Sequence, residues 1–241
     1  PMVKEAHDWV RSGKLGEIQR VVVEYPQGWL LNPIEKEGHK QASWRTDPAR
    51  SGIVGAVGDI GTHGESLASY VTGLELDAIC ADVHTFVPGR RLDDDASVLL
   101  RFKNGARGVL WVSQIAAGEE NGLNIRVYGT EGGLFWEQKH PNVLHFQPPN
   151  RPAQVLKRGN AYLGEAASRA AHIAPGLTEA FFGAFANIYL NYIDTILAGL
   201  EGRQPTELEL DFPTVYDGAR GVRFVEKVVE SGQSARKWTR F

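Results

Sequence analysis

An aspartate and a histidine stand four residues apart in Gly58-Asp59-Ile60-Gly61-Thr62-His63. If a helix begins at or before Asp59, the two side chains face the same way. The carboxylate can then bond one ring nitrogen of His63, fixing its tautomer and leaving the other nitrogen to take a substrate proton. A helix N-terminus also disfavours a positively charged imidazole, which suits a base working near neutral pH. The glycines at 55, 58 and 61 leave room for ligand or backbone to come close. The plainer alternative is that Asp59 caps the helix and His63 is an ordinary buried histidine. Spacing alone does not separate the two. A metal role for the pair needs further ligands, and the remaining histidines show no metal-type spacing.

Two further segments offer pocket-lining groups. Tyr25-Pro26-Gln27-Gly28-Trp29 ends a strand with an amide and an aromatic ring, which suits a hydroxyl-rich ligand as well as it suits simple packing. Trp44-Arg45-Thr46-Asp47 carries a cation and a carboxylate, either for a ligand or as a surface ion pair. Arg90-Arg91-Leu92-Asp93-Asp94-Asp95 reads as a solvated turn between strands. Absences narrow the chemistry more sharply. Among 27 glycines no two stand two positions apart, so G-x-G-x-x-G cannot occur. Gly13-Lys14 is followed by leucine, which excludes a P-loop. No serine sits in a nucleophile elbow, and Cys80 has no charged activator beside it. The chain by itself cannot complete a dinucleotide site.

The elements that must position these residues follow from periodicity. Pro1–Arg11 reads as a helix stopped by Gly13, and Ile18–Tyr25 as a strand. Gln27–Gly58 is a long aromatic-bearing excursion, and a helix runs from about Gly61 to Thr72. Alternation then takes over: Leu76–Phe86, Ala96–Phe102, Val109–Ser113, Leu123–Val127, Leu134–Glu137 and Val143–Phe146, with Asn104-Gly105 as a hairpin signal. Thr178–Leu200 is a helix with Phe181, Phe185, Ile188, Tyr192, Ile196 and Leu200 on one face; Pro213–Ser231 is another, and Lys237–Phe241 a closing strand. The fold class is α+β, one large and mostly antiparallel sheet with helices packed on one face. The other face then needs cover, and some of Trp111, Tyr128, Phe135 and Trp136 are candidates for a homo-oligomer interface in a dimer or tetramer. The alternative is that all four point to the helices.

The 241 residues, 42% hydrophobic and 23% charged, suffice for a core without metal or disulfide help. A net charge of −3 gives no nucleic-acid or anionic-membrane signature, and no apolar run approaches the ~18 residues of a membrane span. The lone Cys80 and the lack of a signal peptide suit the cytoplasm. A proline in first place suggests a processed chain or a fragment.

With these residues in view, the whole chain resembles the C-terminal domain of the Gfo/Idh/MocA oxidoreductases, the glucose-fructose oxidoreductase and inositol dehydrogenase group. The resemblance is carried by Trp44-Arg45-Thr46-Asp47-Pro48-Ala49-Arg50 and Gly58–His63, and more weakly by Val127–Gly133 and Ala184–Tyr189. It implies a preceding Rossmann domain, absent from this chain, that binds NAD or NADP and donates a lysine from a Glu-Lys-Pro motif. It implies hydride transfer between the nicotinamide and a carbon of a sugar or cyclitol. Residues 1–241 are then a substrate-binding and oligomerisation domain, inactive alone, with a linking helix at 1–13. In these terms His63 accepts the proton, Asp59 orients it, and Gln27, Arg45 and Thr62 bind the hydroxyls of a small sugar or polyol. Where the nearest branch has a His-Pro-Glu-Gly-Tyr-like stretch, this chain has Leu177-Thr178-Glu179-Ala180-Phe181, which leaves the substrate open. The rival expectations are a non-catalytic truncated module that binds sugar or oligomerises, and a metal-dependent sugar isomerase or hydrolase.

Overall fold

The computed structural model describes residues 1–241. Along the chain come α1 (Met2–Arg11), β1 (Ile18–Pro26), a 3-10 turn (Ile34–Glu37), α2 (Lys40–Arg45) and α3 (Pro48–Ser51). A π-helical turn (Val57–Gly61) runs straight into α4 (Thr62–Thr72). The strands β2 (Leu76–His84), β3 (Asp95–Phe102), β4 (Arg107–Ser113), β5 (Asn124–Gly129), β6 (Gly133–Glu137), β7 (Val143–Gln147) and β8 (Gln154–Lys157) follow. Helices α5 (Glu165–Arg169), α6 (Phe181–Leu200) and α7 (Val215–Gly232) and the short β9 (Thr239–Arg240) complete it. No helix is long and apolar enough to cross a membrane.

The nine strands form one sheet in the order β8-β7-β6-β5-β1-β4-β3-β2-β9. Only β1 and β4 run parallel; every other pairing is antiparallel. The mostly antiparallel α+β sheet expected from the alternation is therefore the fold. Alternate residues such as Val21, Val23, Leu110, Val112, Ile125 and Val127 are buried, with α4 over β1, β4 and β5, α7 over β2, and α1 over β6 and β7. Helix α4 crosses β1 and β4 at Gly64, where an added Cβ would lie 3.0 Å from Leu110 Cδ1 and 3.3 Å from Val23 Cγ1. The missing side chain is what lets the helix lie so close.

The four aromatic residues expected to cover the open face divide between the two faces. Trp136 is buried on the helix side, whereas Trp111, Phe135 and the exposed Tyr128 stand on the opposite face. There the Trp111 indole donates to Asp95, and the Arg126 guanidinium lies 5.2 Å from the Phe135 ring while pairing with Glu24.

Helix α6 departs from the expected packing. It begins at Phe181 rather than Thr178, and its apolar stripe faces outward, with Phe181 64% and Leu200 79% exposed. Its buried positions are Asn187, Asn191 and Ala198. Polar bonds tether it instead: Asn187 donates to the Ala170 carbonyl, Asn191 to that of Asp211, and Thr195 to that of Glu209. Periodicity identified the helix correctly, but a period cannot say which face meets the rest of the chain.

The solvated turn expected at Arg90–Asp95 is also corrected. Asp94 is fully buried and accepts from the backbone N–H groups of Phe86 and Val87 and from Arg90. Arg90, itself buried, also donates to both carboxylate oxygens of Glu35 and to the Leu30 carbonyl. Asp93 accepts from the N–H groups of Gly55 and Val57 at 2.6 and 2.7 Å. The loop between β2 and β3 thus grips the long excursion through buried bonds at residues 30–35 and 55–57, and through a surface pair between Arg91 and Asp47. Buried charge is tolerated here because each group is paired or hydrogen-bonded.

Candidate active site

The excursion meets the C-terminal end of the central strand β1, and the chemically capable side chains gather there. Asp59 lies in the π-helical turn, half-buried. One of its oxygens accepts from Arg45 Nε at 3.2 Å, the other from Gln114 Nε2 at 2.7 Å. Neither is bonded to His63, so the direct carboxylate–imidazole bond expected from the spacing is not formed. The reason is local. In a π turn the backbone bonds run from i to i+5, and residues four apart no longer stack as they do in an α-helix. Nor does Asp59 cap a helix with its side chain; Asp93, from the β2–β3 loop, satisfies that terminus.

His63 is exposed, not buried, and its ring meets that of Tyr25 edge-on with centroids 6.1 Å apart. Tyr25, the last core residue of β1, is buried, and burial pushes its phenol above its ordinary value, so it remains a donor at neutral pH. Its hydroxyl donates to Asn121 Oδ1 at 3.2 Å. Gln27 Nε2 donates to the same oxygen at 2.7 Å, and Gln27 Oε1 accepts from the Trp29 indole at 3.1 Å. Backbone pairing between residues 26–28 and 113–122 holds these groups side by side: Gln27 N–H donates to Ser113, Ala116 N–H to Gln27, and Gly122 N–H to Pro26.

Arg45 ends α2. Besides Asp59 its guanidinium bonds Gln41 and lies over the Trp44 ring, 4.3 Å from the centroid. It is therefore paired inside the site rather than on the open surface. Thr62 is placed elsewhere. Its hydroxyl donates to the Gly58 carbonyl, and its methyl group lies toward Gly221 of α7. The structure brings Asp59, His63, Gln27 and Arg45 together at the end of β1 and leaves Thr62 facing a helix.

Two members of the site were missed in the sequence, and a third was named in a pocket-lining segment without a role. Gln114 is only 1% exposed and follows β4, where a lone amide gives no pattern to read. Asn121 sits in the turn-rich connection before β5, and Tyr25 was visible only as part of a strand end. Taken together, the site offers an imidazole, a phenol and amides beside an aspartate whose charge is matched by an arginine. No group of three or more His, Cys, Asp or Glu side chains is arranged so that it could hold a metal ion. The chain has one parallel strand pair, and the G-x-G-x-x-G spacing occurs nowhere in it.

A sheet of this order, with β1 and β4 as its one parallel pair, is not the mostly parallel sheet of a doubly wound nucleotide fold. A model of the GFO/IDH/MocA C-terminal domain matches residues 3–135, more than half of the chain. The chain belongs to this family. Over its whole length it is 29% identical to the uncharacterized oxidoreductase YfiI of Bacillus subtilis (strain 168), of which it covers 62%. A crystal structure of an oxidoreductase from Sinorhizobium meliloti is 40% identical, with a TM-score of 0.85, over 99% of this chain and 61% of the other. An inositol dehydrogenase homolog from Azotobacter vinelandii, complexed with NAD+, is 32% identical with a TM-score of 0.90 over 100% of this chain and 62% of the other. The chain thus spans about three-fifths of the length of each of these proteins.

Proposed function

We propose that this chain is the substrate-binding part of an NAD(P)-dependent dehydrogenase that oxidises a hydroxyl-bearing carbon of a sugar or cyclitol. The observation that carries this reading is the site at the end of β1: an exposed imidazole against a phenol, an adjacent pinned carboxylate and a set of oriented amides. It is supported by a related Azotobacter vinelandii structure, 31% identical, which holds NADH and myo-inositol. The nicotinamide, carried outside these residues, accepts the hydride. This chain's own part is to bind the polyol and take the hydroxyl proton. His63 is the group placed to take it, because its ring is open to a ligand at the site. Asp59 then acts through the field of its carboxylate and not through a bond to the ring. Arg45 holds Asp59, and Gln27 orients its neighbours.

The test is turnover of a panel of sugars and cyclitols with NAD+ and with NADP+ by the native polypeptide that carries this chain, read as nicotinamide absorbance. Oxidation of at least one polyol, and its loss in His63→Ala with cofactor binding kept, is the expected result. No turnover of any member, or full activity in the variant, overturns the reading.

The sheet face carrying Trp111, Tyr128, Phe135, Leu99 and Val155 is open on this chain. As part of the same reading it is the surface on which copies of the chain associate, as a dimer or tetramer. A monomeric mass by light scattering at working concentration would remove that part.

A further inference from the structure

One indole sets the direction of two amides. An indole nitrogen can only donate, so the Gln27 atom facing Trp29 Nε1 is its oxygen. The Gln27 nitrogen is then the atom facing Asn121, and only the oxygen of Asn121 can receive it. The Tyr25 hydroxyl donates to that same oxygen. With its oxygen held by two donors, Asn121 must turn its NH2 group away from the protein. No side chain or carbonyl of the chain accepts from that group, and Asn121 itself is exposed.

We infer that Asn121 is a specificity-determining residue of the site, a donor-only anchor for a hydroxyl or ether oxygen of an uncharged polyol; this rests on the function proposed above. The relay Trp29–Gln27–Asn121 keeps the anchor from rotating, so the position accepts oxygens that present a lone pair and rejects groups that must donate. Arg45 is matched by Asp59 and Glu119 by Lys139, and the exposed Glu120 beside Asn121 repels an anion, while a donor-only anchor gives a cation nothing to bond. Tyr25 joins this anchor to the His63 ring, which places the two at the same pocket. Gln27, by contrast, has its oxygen and one N–H committed inside the protein and serves as the orienting member.

The experiment compares wild type, Asn121→Asp and Trp29→Phe in the native polypeptide, with myo-inositol and levoglucosan among the substrates. Asn121→Asp keeps the inward acceptor for Tyr25 and Gln27 and replaces the outward donor by an oxygen. Its KM is expected to rise at least tenfold with kcat changed less than threefold. Trp29→Phe frees Gln27 to flip and is expected to raise KM severalfold, but to add nothing in the Asn121→Asp background. In the 15N-labelled native polypeptide, the side-chain NH2 resonances of Asn121 are expected to shift on titration with the polyol that wild type turns over. An active wild type with KM unchanged in Asn121→Asp, or with no shift at Asn121, overturns the inference alone. A wild type that turns over no polyol overturns the proposed function and, with it, this assignment.

Discussion

Gln114 and Asp59 are joined by a 2.7 Å hydrogen bond that spans 55 positions of sequence. Gln114 is almost fully buried, and its backbone is held as well, by the Asp94 carbonyl on one side and the Leu30 N–H on the other. The amide is therefore a fixed donor, and the carboxylate it holds is fixed in turn. Replacing it with Glu puts two carboxylates at hydrogen-bond distance, where both cannot ionise without penalty. The introduced acid has its folded-state pKa raised, so its stability contribution is present at low pH and is lost as pH rises through that value. Gln114→Glu should be close to wild type in urea melts at pH 5 and weaker by about 1–3 kcal/mol at pH 7. Equal loss at both values would mean that the contact is not made.

Asp93 should behave as a structural clamp on the segment that carries Asp59. Its two oxygens each accept a backbone N–H, and burial pushes its carboxyl above the ordinary value despite those bonds. Asn supplies only one acceptor and turns an N–H against the other donor. Asp93→Asn should cost about 2 kcal/mol by chemical denaturation, through a buried donor left unmet. Amide exchange at Val57 should quicken more than at Val21 in the central strand. Uniform quickening would deny the clamp.

How much of this was legible in the sequence depends on which interaction positions each residue. The sheet was legible because alternation in β3, β4 and β5 is a backbone property. Asp59 and His63 were legible as residues, but their geometry was not. The π turn that separates them leaves no mark in Val57-Gly58-Asp59-Ile60-Gly61, since nothing in the residue types distinguishes an i+5 bond from an i+4 bond. Arg90, Asp93 and Asp94 look like a polar turn because charge normally seeks water. Their burial depends on Glu35, Gly55 and Val57, 36 to 55 positions away, and no local pattern shows that. Gly55 carries the one local hint: a Cβ there would sit 2.1 Å from the Asp93 carbonyl oxygen. The outward turn of α6 was illegible for the same reason, because its side is chosen by Asn187, Asn191 and Thr195 bonding to distant carbonyls.

Gly64→Ala tests the close crossing of α4. The new methyl meets Leu110 Cδ1 at 3.0 Å and Val23 Cγ1 at 3.3 Å, tighter than ordinary contact. Alanine favours the helix by roughly 1 kcal/mol, whereas overpacking a core costs about 1–3 kcal/mol. Both groups it meets belong to packed strands, so the net should be destabilising, with the midpoint of a thermal melt lowered by several degrees. Pairing it with Leu110→Val should recover part of the loss beyond the additive sum. A variant more stable than wild type would show that α4 has room to lift.

Glu65, the next residue of the same helix, provides a pH test. Its side chain is 5% exposed; Oε1 accepts from Arg220 at 2.9 Å, and Oε2 is buried without a partner. Burial raises its pKa above the ordinary value of 4.5, and the attraction of Arg220 offsets this only in part. The folded state therefore takes up the proton at a higher pH than the unfolded chain does. The sign follows: this group's contribution is fully present below its unfolded-state value and is lost as pH rises through the folded one. Glu65→Gln removes the titration while keeping the shape and one acceptor for Arg220. The stability of wild type relative to Glu65→Gln should then grow as pH falls from 7 toward 4.5, read as paired urea melts at constant salt. A difference that stays flat, or that shrinks on acidification, would mean that the Arg220 pair outweighs the burial of Glu65.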